Sequence, residues 1–529
     1  MAERAAPALA AGAFLLAVAL QVRGGAYQSE FGSHPDESAH YVTGVMVREY
    51  VATWPPQPPL RFAQDYYDHY PKVAIGHWPP AFYALQAAWT LVFSPSHVSV
   101  LLLMAALSAT LATVIFLALR REVGALVAAP TALLFLCLPL VQKATGMVMG
   151  EIPLALFCFG FALALGRFLD RGRAQDALVS ALFAAAAILT KGNAFALALA
   201  APLALVLTRR FERLKRPALW AAAALVVALC APWYVVTAPL AAEKTALVRP
   251  TLAYALAAAR LYTVQLALAG GAFLLLLALV GLGATRPWTR TPRPTSGKWA
   301  AAAALVVAVW AFHCVVPSSR EPRHMVLALP AFMMFVGAGL AAAARRLSRG
   351  AAHPRGWAVA VLGGAALLFL AHGFAIPAKS WSGFAAPVDV LLGWPDAPAV
   401  TLVVSDARGE GMFISEMAQR EPRPRRTVLR GSKVLARSGW DGQDYTLLHR
   451  TPSEVLAFLD GRVDVVVLDT SGTAAGEGHL DVMTRTVREH PTRFENAGRF
   501  AVTRAGEVVD GAIEVWRFRP SPRERQPPE

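Results

Sequence analysis

The stretch 100–119, VLLLMAALSATLATVIFLAL, decides the fold class. It contains no charged residue, and as a helix its twenty residues would be about 30 Å long, the thickness of the hydrocarbon core of a bilayer. Helices in soluble proteins carry a polar face, and this stretch has none. We therefore predict a transmembrane helix here.

Similar stretches recur on both sides of it. Eleven runs are long enough to cross, allowing two short ones, near 5–22, 97–119, 123–141, 152–168, 176–190, 194–208, 217–237, 263–284, 299–316, 325–343 and 357–376. The whole chain of 529 residues is 56% hydrophobic and only 16% charged, with a mean hydropathy of +0.45. Soluble proteins carry roughly 25% charged residues. The composition excludes a soluble enzyme and a disordered chain, and predicts a polytopic α-helical membrane protein.

Two apolar stretches differ from ordinary transmembrane spans. The first span follows Arg4 and resembles a signal peptide, but its length and the many later spans favour an uncleaved anchor. Residues 79–93, PPAFYALQAAWTLVF, open with two prolines and are too short to cross comfortably. We predict that they form an interfacial helix along the membrane surface.

Lysine and arginine fall unequally on the two sides of these spans. With the N-terminus inside, the cytoplasmic segments hold 19 of them and the short external loops hold 7. Cytoplasmic loops are enriched in these residues, so the asymmetry sets the orientation. It also explains much of the net charge of +15 without a nucleic-acid partner. The predicted location is the cell inner membrane, with multiple passes.

Two segments remain outside the membrane, 23–96 and 378–529, and both are external in this orientation. In the second, the β-like runs VTLVVS at 400–405 and VDVVVLD at 463–469 alternate with helix-like segments near 409–419 and 452–460. This alternation predicts a small α/β domain. The domains are therefore predicted as 1–377, a membrane domain including the loop 23–96, and 378–529, an extracytoplasmic α/β domain with a disordered end, PSPRERQPPE.

The first external loop contains His34-Pro35-Asp36-Glu37. Adjacent carboxylates provide a general base and a group that orients it, and a neighbouring negative charge raises the proton affinity of the base. The alternative is an ordinary helix N-terminus, where proline and acids are favoured.

Later external loops add a further acid and several cations. Glu151 lies at the mouth of one span and Lys191 in a tight hairpin, and the segment SSREPRH places Arg320, Arg323 and His324 at another mouth. Each cation alone is explained by snorkelling to the interface. Together on one side, the acids and cations suit an acceptor hydroxyl and a lipid-linked phosphate.

Histidine and cysteine are common metal ligands, and both occur in this chain. The first loop holds several imidazoles and further carboxylates, namely His34, His40, His69 and His77 beside Asp36 and Asp68. Their spacing matches no fixed motif, so no metal ligands are assigned and a divalent cation stays an open alternative. The four cysteines, at 137, 158, 230 and 314, lie in apolar runs and are predicted to be buried small hydrophobes.

Five short motifs occur in order between about residues 30 and 345: Asp36-Glu37; Pro79-Pro80 with Tyr83; Glu151 with Pro153; Thr190-Lys191-Gly192; and Arg323 with Leu329-Pro330. Together they resemble the polyprenyl-phosphate-sugar-dependent membrane glycosyltransferases of the C-type fold (glycosyltransferase family 39). Within these, the resemblance is to the bacterial family related to protein O-mannosyltransferases and the lipid A aminoarabinose transferase.

The resemblance implies a glycosyl transfer from a polyprenyl phosphate to a glycan, lipid or protein acceptor by direct displacement with inversion. Asp36 would be the catalytic base, with Glu37 and Glu151 as further catalytic acids. Lys191 and Arg323 would hold the lipid phosphate, and the other substrate-binding candidates are Arg320, His324, His77 and Tyr83.

Three departures from the family pattern concern these assignments. The family commonly has an acid and a lysine where this chain has His77 and Trp78. Many members have Asp in place of Glu151, and their tyrosine after the acid pair falls one residue earlier than Tyr41.

Two other function classes are alternatives to a glycosyltransferase. A transporter or flippase for a lipid-linked sugar would place ionisable residues along the mid-membrane path, where His313 is the main candidate. A binding or assembly protein would use the tail on a membrane scaffold and would have little reason to keep acids and cations together on the external loops.

Overall fold

The structure is a computed structural model that describes residues 5–53, 57–74, 76–242, 251–268, 271–288, 296–317, 319–347, 363–364, 381–395, 398–439, 444–471 and 478–521. The chain divides into two compact units. The helical unit comprises Met1–Gly24, Gly76–Phe82 and Leu101–Ile376, and the mixed unit comprises Gly25–Ile75, Tyr83–Val100 and Pro377–Glu529.

The first fifteen helices account for most of the sequence up to residue 347. They are α1 Ala5–Arg23, α2 Glu37–Ala52, α3 Pro59–His69, α4 Ala81–Val92, α5 His97–Val123, α6 Ala125–Cys137, α7 Pro139–Thr145, α8 Glu151–Arg171, α9 Ala174–Ile188, α10 Leu197–Thr208, α11 Pro217–Ala242, α12 Leu252–Leu268, α13 Gly271–Thr285, α14 Ser296–Val315 and α15 Leu329–Leu347. Helices α2, α3 and most of α4 belong to the mixed unit, and the others lie wholly or mainly in the helical unit.

Several of these helices have the length and composition of membrane spans. Among the described residues five pass, in α1, α5, α8, α11 and α14, and up to seven pass if each of two bent pairs counts as one span. Three shorter apolar helices add to them: Ala81–Val92, Ala174–Ile188 and Gly192–Thr208. The chain is a multi-pass membrane protein. The predicted span 357–376 lies outside the described residues, apart from 363–364.

Two predicted spans are broken. The span predicted at 123–141 bends by 65° between α6 and α7. Pro139 disfavours helical backbone at the preceding residue, and Leu138 is extended, with φ −63° and ψ 133°. The span predicted at 263–284 covers the end of α12 and most of α13, which are bent by 94° with respect to each other. Gly271 begins α13 with φ at +70°, a conformation that glycine adopts readily.

Close helix packing positions the segment that precedes α15. A Cβ on Gly281 of α13 would lie 1.9 Å from the carbonyl oxygen of Phe335 in α15, and one on Gly339 would lie 1.9 Å from that of Leu277. Glycine therefore lets the two backbones touch, as small residues do in membrane helix pairs. This contact fixes α15, and with it the 3₁₀ helix Pro322–Leu327 at its start.

The mixed unit contains the α/β fold predicted for the tail. Its remaining helices are α16 Ala385–Gly393, α17 Ala407–Arg420, α18 Gly431–Val434, α19 Pro452–Leu459 and α20 Gly478–Glu489. Its strands are β1 Trp381–Ser382, β2 Val400–Val404, β3 Thr427–Arg430, β4 Ala436–Arg437, β5 Thr446–Leu447, β6 Val465–Asp469, β7 Phe494–Phe500, β8 Thr503–Arg504, β9 Glu507–Val508 and β10 Ile513–Phe518. The strands at 400 and 465 and the helices at 407 and 452 confirm the predicted alternation.

The main sheet of this unit has five strands in the order β3-β2-β6-β10-β7. Strands β3, β2 and β6 are parallel, whereas β10 runs antiparallel to β6 and β7. Alternate residues of the central strands, including Leu402, Val404, Val466 and Leu468, lie in one buried apolar core. The continuous apolar runs of β2 and β6 reflect strands buried on both faces.

The first loop groups with the tail rather than with the spans. The buried carboxylate of Glu30 accepts hydrogen bonds from the backbone N–H groups of residues 383–385, at 2.9 to 3.1 Å. At Gly411 of α17, a Cβ would lie 2.2 Å from the Ser38 Oγ of α2. The predicted membrane domain 1–377 included the loop 23–96, but by compactness most of that loop belongs to the mixed unit.

Candidate functional site

A buried group of charged side chains lies at helix ends in the helical unit. Glu151 is the first residue of α8 and is 2% exposed, and the N-terminus of a helix favours a carboxylate. Lys191 follows α9 and donates from Nζ to Glu151 Oε1 at 2.7 Å. Arg323 Nε lies 3.7 Å from the same oxygen. One carboxylate therefore joins two cations that are distant in sequence.

A second acid completes this group. Glu321 pairs with Arg323 through both carboxylate oxygens, Oε2 to Nε at 2.7 Å and Oε1 to Nη2 at 2.9 Å. We call Glu151, Lys191, Glu321 and Arg323 the cation cluster. An isolated buried charge is costly, so the two acids allow the two cations to be held away from bulk water.

Imidazole and phenol groups extend the cation cluster. His324 Nδ1 lies 3.0 Å from the hydroxyl of Tyr262, and the ring of His313 stacks on that of His324 with centroids 4.6 Å apart. Burial, reinforced by His313 and by the charges of Lys191 and Arg323, lowers the pKa of His324 to about 3. His324 is therefore neutral at physiological pH.

His313 is at the end of a candidate membrane span. It lies in the last turn of α14, which ends at Val315. The main ionisable candidate for a transport path is thus at a helix end, beside the other polar groups.

The segment before α4 lies in the helical unit next to the hairpin of Lys191. The backbone N–H of Ala81 donates to the carbonyl of Leu189 at 2.8 Å, and His77 packs edge-on against Trp78.

Arg320 is exposed, with its guanidinium 5.8 Å from the ring centre of Tyr254. Arg320 is not part of the cation cluster.

The acid pair, Asp36 and Glu37, lies in the mixed unit at the start of α2. Asp36 is the N-cap residue, but its side chain makes no capping hydrogen bond. Its Oδ2 lies 3.5 Å from His34 Nδ1, and its side chain is 24% exposed. Glu37 is buried, and its Oε2 accepts from the N–H of Ser33 at 3.0 Å. The helix N-terminus interpretation and the base interpretation are therefore compatible.

Lys72 is a cation near the acid pair that the sequence did not reveal. Its Nζ donates to the carbonyl of Ala407 at 3.2 Å. Burial, with a contribution from Arg430, lowers the pKa of Lys72 to about 7, while Glu410 and Asp36 oppose the shift.

Tyr83 lies in the mixed unit and supports α2. Its hydroxyl is 2.8 Å from His40 Nδ1, and both side chains are buried. Tyr83, a predicted substrate-binding residue, therefore belongs to a different unit from the cation cluster.

The structure brings together Glu151, Lys191, Arg323 and His324 of the predicted site residues. Tyr262 and Glu321 were missed. Glu321 is two residues from Arg323, and that spacing was the available signal. Nothing in the sequence links Tyr262 to residues about 60 positions away.

The structure also bears on the open alternative of a metal ion and on the prediction for the cysteines. In the described ranges, no three or more His, Cys, Asp or Glu side chains are grouped so as to hold a metal ion. The four cysteines are buried, as predicted.

Known structures resemble this one over nearly its whole length. ArnT from Cupriavidus metallidurans bound to undecaprenyl phosphate matches with a TM-score of 0.57 at 14% identity, covering 95% of this chain and 97% of that one. The archaeal oligosaccharyltransferase AglB from Archaeoglobus fulgidus, in complex with an inhibitory peptide and a dolichol-phosphate, matches with a TM-score of 0.53 at 12% identity, covering 96% and 74%. The fold is that of the C-type glycosyltransferases.

Sequence comparison adds one family. Residues 77–236 match the family model of dolichyl-phosphate-mannose-protein mannosyltransferase. No curated protein matches the chain by sequence. The matched range, 77–236, includes Glu151 and Lys191, whereas Asp36 and Arg323 lie outside it. The family match, together with the shared fold, indicates a glycosyltransferase and supports glycosyl transfer from a polyprenyl-phosphate-linked donor.

Proposed function

We propose that this protein transfers a glycosyl group from a polyprenyl-phosphate-linked donor to an acceptor at the external face of the cell inner membrane. The observation that carries the proposal is the cation cluster. Two cations held at helix ends by the buried Glu151 and the partly exposed Glu321, in a C-type glycosyltransferase fold, suit the phosphate of a lipid-linked sugar.

The donor phosphate is assigned to Lys191 and Arg323. An ammonium has three donor hydrogens, and among the described residues the only hydrogen bond of Lys191 Nζ is to Glu151. In this arrangement Glu151 is a positioning residue, because it fixes both cations rather than facing a reacting atom. This proposal differs from the sequence prediction of Glu151 as a catalytic acid, which stays a prediction.

The base is assigned to Asp36. Its carboxylate takes the proton of the acceptor hydroxyl as the acceptor oxygen bonds to the anomeric carbon, and the bond from that carbon to the phosphate oxygen breaks. The electron pair leaves with the lipid phosphate, which gains a negative charge that Lys191 and Arg323 stabilise. Partial exposure of Asp36 suits a group that must exchange a proton with solvent in each cycle.

The donor class is tested by lipid extraction and mass spectrometry of the purified protein, followed by a transfer assay with the lipid-linked sugar that is found. We expect a polyprenyl phosphate or its glycosylated form to co-purify. Protein that carries no such lipid and transfers no sugar from any polyprenyl-phosphate donor would refute the proposal.

The external location is tested by labelling introduced cysteines in intact cells. The four native cysteines are buried, so background should be low. Asp481→Cys in the mixed unit and Glu212→Cys in the 209–216 loop place thiols at exposed positions with the same change of charge. We expect an impermeant reagent to label only the first. Labelling of only the second would reverse the orientation.

A further inference from the structure

His313 is a buried side chain beside the cation cluster. It is 1% exposed, and neither ring nitrogen has a hydrogen-bond partner among the described residues. Buried polar groups are nearly always hydrogen-bonded, because leaving one unmatched is costly. An exception next to a candidate site points to a partner that arrives with the ligand.

Contacts with neighbouring aromatic rings orient the ring of His313. It lies nearly parallel to the ring of His324, at 9°, and its centroid is 5.6 Å from that of Tyr262. Phe312 packs edge-on against it. The orientation of the imidazole is thus set by stacking, which leaves its nitrogens for another group.

The charges around this ring select an anion. Lys191 interacts electrostatically with both His313 and His324, and Arg323 with His324. Glu151 lies within the same set but is already bound to Lys191. A metal ion would meet two cations here, and no group of three ligands is present among the described residues. A phosphoryl group would meet cations and an N–H donor.

We propose that His313 donates a hydrogen bond to the phosphoryl group held by Lys191 and Arg323, as a third binding contact in the helical unit. The assignment rests on the proposed function, since it places the ligand at the cation cluster. His324 acts as a positioning residue: its ring stacks on His313 and its Nδ1 is fixed by the hydroxyl of Tyr262.

Two substitutions of His313 test the contact by binding of farnesyl phosphate to purified protein. In His313→Phe an aromatic ring keeps the stacking but removes the donor, and we expect affinity to fall about tenfold, as for loss of a hydrogen bond to a charged group. In His313→Gln an amide N–H replaces Nε2–H, and we expect a smaller loss, roughly two- to threefold. His69→Gln, at a partly exposed histidine of the mixed unit, is the matched control and should bind like the native protein.

Stability separates binding from a structural role. Phenylalanine places no unmatched polar atom in the buried position, so His313→Phe should unfold at a temperature equal to or above that of the native protein. A purely structural histidine would give the opposite result, with a lower unfolding temperature and weaker binding together.

The source of the phosphoryl group is distinguished by inorganic phosphate as a second probe. Binding of farnesyl phosphate alone indicates that the lipid chain is required, whereas binding of both shows that the phosphoryl group suffices, and either result supports the contact if His313→Phe weakens it. Native affinity in His313→Phe, with loss of binding in Lys191→Ala, would overturn the role of His313 alone. Absence of binding of either probe by the native protein would overturn the proposed function as well.

Discussion

The cation cluster of the helical unit and the acid pair of the mixed unit place their charges in different ways. In the cluster, Glu151 and Lys191 are nearly fully buried and Arg323 is held by two carboxylates. In the acid pair, Asp36 remains 24% exposed, while only Glu37 is buried. Fixed and compensated cations suit the binding of a phosphate, whereas a partly exposed carboxylate suits proton exchange. The difference supports our proposal that one region binds the phosphate and the other carries out the proton transfer.

The largest effect is expected at Asp36. Asp36→Asn keeps the shape of the side chain but removes its ability to accept a proton. We expect the transfer rate to fall by about 10² to 10⁴, with binding of the lipid donor largely retained. The measurement is a transfer assay with purified protein and a polyprenyl-phosphate sugar, alongside donor binding.

Glu37→Gln is the matched control for Asp36→Asn. Glu37 is buried against the loop through Ser33, so its loss should cost less activity than the loss of Asp36. Full transferase activity in Asp36→Asn would break the division between binding and chemistry, even if the fold assignment stood.

An intermediate effect is expected at the cations. A hydrogen bond to a charged group is worth roughly 1.5 to 3 kcal/mol, so Lys191→Ala or Arg323→Ala should weaken donor use about 10- to 100-fold. Arg320→Ala provides the control, because Arg320 is exposed and outside the cation cluster. Donor kinetics that are unchanged in both cluster variants would rule out the phosphate assignment.

The sequence predicted these two regions to different degrees. Sidedness alone brought Glu151, Lys191 and Arg323 to the same side, and the structure places them within one cluster. The alternation of apolar strands with helices was enough to predict the α/β tail. Pro139 lies within the span predicted at 123–141, but a hydropathy pattern does not record a bend.

Other features depend on contacts that no local pattern contains. Glu30 binds backbone groups about 350 residues away, so the grouping of the first loop with the tail was not predictable. The hydrogen bond between Tyr262 and His324 joins residues that are 62 positions apart. Local signals therefore identified the helices and the charged residues, while long-range packing determined which of them meet.

The smallest effect is expected at Lys72, which interacts electrostatically with Asp36 in the mixed unit. Here the expected effect is on how the stability of the protein changes with pH. The pKa of Lys72 in the folded protein is about 7, below its unfolded value of roughly 10.4. Between these two pH values the unfolded chain binds more protons, so stability should rise as pH increases from 7 towards 10. Below pH 7 both states are charged and the full penalty for burying the ammonium remains. Lys72→Met should therefore flatten the rise, which is measured as the unfolding temperature from pH 6.5 to 9.5. Lys215→Met, at an exposed lysine of the helical unit, should keep the native slope. If Lys72→Met also keeps that slope, Lys72 stays charged in the folded protein and acts as a permanent cation near Asp36 rather than as a neutral amine.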